Sequence, residues 1–108
     1  MANKEETIIQ NTIIAELCKR NCKAFREQSG LFYTPYGGRT RIGFTGKADI
    51  QGHRSIDGKC FYIECKTLTG KGSEEQKKFI KAMQESNALA GFARSVEDAL
   101  KIVFPEKY

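Results

Sequence analysis

The chain has 108 residues, of which 40% are hydrophobic and 29% charged, with a formal net charge of +5 and a sequence pI of about 9.1. That is enough for one small domain with a single core, and no apolar run reaches membrane-spanning length. The basic balance suits a polyanionic partner without establishing one.

The first residues, Met1-Ala2-Asn3-Lys4-Glu5-Glu6, are polar and acidic rather than signal-like, so an intracellular, cytoplasmic protein is expected. Ile9, Ile13 and Leu17 recur every four residues and predict a helix from about Lys4 to Arg20, with Glu6 and Gln10 one turn apart at its start. Asn21 reads as its stop. Residues 22–28 read as a first strand. The stretch 31–40 holds Pro35 and Gly37-Gly38 among Phe32, Tyr33 and Tyr36 and reads as a loop or a loose hairpin. Phe44 is expected to cover part of the core, while Tyr33 and Tyr36 stay open between base stacking and core cover.

A second strand is expected from Ala48 to Gln51, closed by Gly52, with His53 in the following turn. Asp57-Gly58 signals a hairpin turn. The third strand runs from Lys59 to Thr67, where Phe61, Ile63 and Cys65 alternate with Tyr62, Glu64 and Lys66. Leu68 to Gly72 is a basic loop. Ser73 with Gln76 three residues later forms a capping box that opens a second helix, whose apolar positions are Phe79, Ile80 and Met83. A short strand at 91–94 and a last helix from Val96 to about Val103, capped by Ser95 and stopped by Pro105, complete a single α/β domain over 1–108. Its order is α-β-β-β-α-β-α.

Taken singly, Asp49, Glu64 and Lys66 read as charges on solvated strand faces. Together they read differently. Asp49 and Glu64 fall on neighbouring strands joined by a hairpin, on their non-core sides, where two carboxylates come within reach of one hard cation. Lys66 shares the face of Glu64 and can orient a water or steady a phosphate. Two basic segments flank this set: Arg39, Arg41, Lys47 and Arg54 against Asp49, and Lys66, Lys71, Lys77, Lys78 and Lys81 against Glu74 and Glu75. These are the means of metal-assisted phosphodiester hydrolysis. Gln76 is explained as well by the capping box as by catalysis. Cys18-x3-Cys22 and Cys60-x4-Cys65 lack the usual zinc spacing and fall in helix and strand patterns, so they read as small buried hydrophobes.

Gly46-Lys47-Ala48-Asp49, fourteen intervening residues, Glu64-Cys65-Lys66 and then Gln76 resembles the PD-(D/E)XK nuclease superfamily. More narrowly it is similar to the VRR-NUC (virus-type replication-repair nuclease) domain in its small stand-alone phage form. Glu6 with Gln10, the arginine in Phe25-Arg26-Glu27, and the tail from Gly91 to Leu100 extend the likeness over nearly the whole chain. The resemblance implies a restriction-endonuclease-like core with a small mixed sheet. It implies that Asp49, Glu64 and the backbone carbonyl of Cys65 bind Mg2+ or Mn2+. Glu6 then binds a second ion or a water, Lys66 serves the nucleophile and Gln76 supports the site. Arg26, Arg39, Arg41, Lys47, Lys71, Lys77 and Lys78 are the expected nucleic-acid contacts. The implied enzyme is a homodimeric DNA endonuclease cutting branched DNA such as four-way junctions. It needs no small-molecule cofactor or membrane, and works in the host cytoplasm if phage-encoded. Alanine replaces the superfamily's proline, and Cys65 stands where an aliphatic residue is usual. The alternatives are a non-catalytic nucleic-acid-binding module of the same fold and a zinc adaptor using the four cysteines.

Overall fold

The computed structural model describes residues 4–26, 30–33, 39–42 and 48–108. The expected first helix is α1, Lys4–Lys19. Ile13 and Leu17 on its inner stripe are fully buried. Asn21 ends it with a φ of 62°, a left-handed residue that asparagine tolerates. Strand β1, Cys22–Arg26, follows at once.

Strands β2, Gly30–Tyr33, and β3, Arg39–Ile42, pair antiparallel with Gly30 opposite Ile42. The loop-or-hairpin stretch is therefore a hairpin, a small two-stranded sheet of its own. The side chain of Tyr33, and the whole of Tyr36 and Phe44, lie outside what is described.

Strand β4, Ile50–Arg54, starts two residues later than the sequence suggests and continues through Gly52. Gly52 does not close the strand, and His53 lies within it, exposed. A Cβ on Gly52 would stand 1.8 Å from the Lys23 carbonyl oxygen, so the glycine permits a close approach of β1 rather than a turn. The real turn follows, with Gly58 at a φ of 73° and its N–H donating to the Arg54 carbonyl. Strand β5 is Cys60–Cys65, α2 is Glu74–Glu85, β6 is Leu89–Ala93 and α3 is Val96–Val103.

The main sheet has the order β1-β4-β5-β6, antiparallel except for the β5–β6 pair, which α2 connects. Its elements follow the expected order. One face carries Cys22, Ile50, Phe61, Ile63, Cys65 and Ala93, packed with Ile13, Leu17, Ala99, Leu100 and Val103 of α1 and α3 into the core. On the other face, among the described elements, α2 lies over β5 and β6. There Phe79 stands edge-on to Tyr62, with centroids 5.7 Å apart. At the far end of the sheet Arg54 donates to Asp57, Glu106 and the Val103 carbonyl, tying the β4–β5 turn to the tail.

Candidate active site

Asp49 sits in a bend just before β4, and its Oδ2 accepts a hydrogen bond from the Cys65 N–H at 2.9 Å. That bond ties the entry of β4 to the end of β5. Glu64, next to Cys65, points to the opposite face. The alternation places it there as expected, but Glu64 itself is not solvated. Glu64 is 2% exposed, because α2 closes over it.

Three groups stand closest to the Glu64 carboxyl. Gln76 Nε2 donates to its Oε1 at 2.9 Å, and Lys66 Nζ stands 3.9 Å from the same oxygen. The third is Asp49, close enough to form a hydrogen bond between the two carboxyl groups. The remaining oxygen, Oε2, is buried without a hydrogen-bond donor. Burial, and then the Asp49 hydrogen bond and charge, push the Glu64 pKa up to about 9. Lys66 pulls it down and Glu6 adds to the rise. Burial and the neighbouring Asp49 thus favour the protonated form of the Glu64 carboxyl.

Gln76 satisfies both of its readings with one side chain. Its backbone N–H donates to Ser73 Oγ at 3.1 Å, and its Oε1 accepts from the Ser73 N–H at 2.9 Å. That completes the capping box and leaves Nε2 for Glu64. Lys66 is fixed by its own N–H, which donates to the Ala93 carbonyl at 3.0 Å. The Cys65 thiol is in the core and is held in its protonated form by burial.

Glu6, in the first turn of α1, is close enough for its charge to act on both Glu64 and Cys65. Gln10, one turn on, is buried and accepts from Arg26 Nε at 2.9 Å, while Asn11 accepts from Arg26 Nη2. Arg26, expected to meet nucleic acid, thus has two nitrogens engaged by α1. It pairs in register with buried Ile50 on the core side of the sheet. Lys71, Lys77 and Lys78 are exposed, and Lys77 lies 3.5 Å from Glu74. Lys47 lies outside the described residues, and of Arg39 and Arg41 only the place in β3 is described.

The sequence reading gave no role to Arg94. Its guanidinium donates to the Thr67 carbonyl and its N–H to Asp98, which braces the segment after Lys66. A lone arginine past a strand offers no signal for this. Cys22 and Cys65 are buried and Cys18 and Cys60 exposed. Among the described residues, no three histidine, cysteine or acidic side chains are grouped to hold a metal ion. The acid pair stands as a pair.

No protein-family model and no curated protein matches the chain. A solved structure described as a VRR_NUC domain superposes with a TM-score of 0.68. It is 16% identical and covers 98% of this chain and 99% of its own. The three helices, the mixed four-stranded sheet and the near-complete superposition give this chain the restriction-endonuclease-like fold of a VRR-NUC domain.

Proposed function

We propose that the chain is a divalent-metal-dependent endonuclease that hydrolyses DNA phosphodiesters at the Asp49–Glu64 pair. The observation that carries this reading is Glu64 itself. A carboxyl group is buried beside a second carboxyl, with one oxygen lacking any donor. Such an arrangement asks for a proton or a cation. Two carboxylates and the neighbouring Cys65 carbonyl are hard oxygen donors, which suit Mg2+ or Mn2+. When bound, the ion supplies Lewis acidity to the phosphate and a more acidic water.

The chain's own residues do the rest. Asp49 and Glu64 hold the ion. Gln76 fixes the Glu64 carboxyl so that one oxygen is already occupied by a donor. The Lys66 ammonium, 3.9 Å from Glu64, orients the attacking water or steadies charge on the phosphoryl oxygens. Glu6 supports a second ion or a water. Water adds to phosphorus, the 3′ oxygen leaves and takes a proton, and a 5′-phosphate remains. Lys71, Lys77 and Lys78, with Lys47, Arg39 and Arg41, are the proposed backbone contacts, and Arg26 serves by holding β1 to α1. We further propose a homodimer cutting branched DNA, because symmetric cleavage of a four-way junction needs two sites.

The test compares wild type with Lys66→Ala and Asp49→Asn on four-way, flap, single-stranded and linear duplex DNA, with Mg2+, Mn2+ or EDTA. Wild type should cut only with metal, and each variant should lose at least about a hundredfold. Equal cutting by all three proteins removes this site. Binding without cutting under every condition leaves a nucleic-acid-binding module of the same fold. Sedimentation showing only monomer at assay concentration removes junction resolution.

A further inference from the structure

Among the described residues, the face of the sheet that carries Glu64 is half covered. α2 lies over β5 and β6, and the other half, over β1 and β4, presents two cross-strand rows. Phe25, Gln51 and Tyr62 are in register across β1, β4 and β5, and Lys23, His53 and Cys60 form the next row. Phe25 is 49% exposed, and Lys23, His53 and Cys60 are exposed. Tyr62 is pinned by Phe79 on one side. The first row lies two residues along the strands from Asp49 and Glu64, a distance of about 7 Å.

We propose that this open row is a stacking surface for an unpaired base of the nucleic-acid strand whose phosphate lies at the Asp49–Glu64 pair. The inference rests on the nuclease reading and names the kind of strand the site takes. Exposure alone does not carry it, since Ile56 and Leu68 are more exposed, at 84% and 86%, and scattered apolar residues are ordinary. What sets Phe25 apart is its register with the acid pair and the company it keeps. The Gln51 amide, between the two rings, has both a donor and an acceptor for a base edge. Lys23 on one side and Lys66 on the other supply positive charge for the flanking phosphates. A flat aromatic ring with a polar, cationic rim fits the face of a base. In a duplex those faces are hidden by stacking, so the occupant is an unpaired base, such as one at a branch, flap or single-stranded segment.

The chain has no tryptophan, so Phe25→Trp introduces a sole reporter and Ile56→Trp, at the opposite end of the sheet, a control. Both full-length variants are titrated with single-stranded dT and rU oligonucleotides and with blunt duplex, in EDTA at low salt. The emission of Phe25→Trp should be quenched by both single strands and much less by duplex, while that of Ile56→Trp stays constant. Phe25→Ala should bind dT about tenfold more weakly by anisotropy, and Phe25→Trp and Phe25→Tyr should bind like wild type. If binding leaves Phe25→Trp emission unmoved, or if no single strand binds, the proposal fails. It also fails if Phe25→Ala converts a dimer to a monomer in sedimentation, because a second copy then covers the row. The two readings separate cleanly. Quenching without metal-dependent cutting sinks hydrolysis and keeps this surface, and cutting with a silent Phe25→Trp does the reverse.

Discussion

At the scale of single residues, Glu64 is the point of tension. Its carboxyl has an ordinary value of 4.5 and a folded value of about 9. Between those values the folded chain holds a proton that the unfolded chain has released. Its contribution to stability is therefore complete below about pH 4.5 and is lost as pH rises through about 9. Without metal, the melting temperature of wild type should fall from pH 5 to pH 9 more steeply than that of Glu64→Gln. At pH 8 in EDTA the variant should be the more stable protein. Adding Mg2+ or Mn2+ at pH 8 should raise the melting temperature of wild type and leave Glu64→Gln unmoved. Because the cation displaces the proton, its affinity should climb with pH over the same window. Calorimetric melting across pH checks all of these, and a variant that melts in parallel with wild type removes the raised pKa of Glu64. The period-two alternation made the direction of Glu64 legible in the sequence. Its burial was not legible, because that depends on where α2 comes to rest.

Among the elements, the start of α2 shows how structure and site share parts. Ser73→Ala removes the cap and should cost about 1 kcal/mol in denaturant unfolding. Gln76→Ala removes the reciprocal half of the box and also the donor on Glu64, so it should cost more, about 1–2 kcal/mol. Under the nuclease proposal it should also lower turnover and shift its pH profile, whereas Ser73→Ala, which leaves the amide in place whenever the turn is formed, should lower turnover less and leave the pH profile unmoved. Equal effects of the two on turnover would reduce Gln76 to a cap. The capping box was plain from Ser73 and Gln76, but which further group the amide meets was not, because the partner is twelve residues upstream on another element. Gly52 went astray for a related reason. A glycine after a short apolar run looks like a turn, and only the Lys23 carbonyl, brought alongside by β1, shows that it permits a crossing of backbones. Gly58, whose reason is a local turn with positive φ, is legible from its own neighbours.

For the whole molecule, the helix and strand order followed from periodicity and punctuation, since each element of the main sheet is bounded by its own local signals. The second, two-stranded sheet reads from sequence as either loop or hairpin because its turn region mixes proline, glycine and aromatics. The acid pair lies at one end of the main sheet and the Arg54 knot at the other. Arg54 joins Asp57, Glu106 and the Val103 carbonyl, with its cation over the Phe104 ring. Arg54→Ala should speed amide exchange in residues 104–108 and leave turnover unchanged. A parallel loss of turnover would mean that the two ends of the sheet are coupled.

The double engagement of Gln76 also has a consequence in time. When the first turn of α2 frays, the Ser73 cap opens and the donor on Glu64 leaves with it, so the two losses are one event. Helix ends open and close within about a microsecond, whereas enzymes in general turn over about 1–1,000 times each second. During one turnover of the proposed hydrolysis the carboxyl would meet its amide partner and lose it very many times. What the reaction sees is an average over those visits. A substitution anywhere in that first turn that changes how often it is formed will therefore change the site through its occupancy, while every distance in the formed state stays as it is.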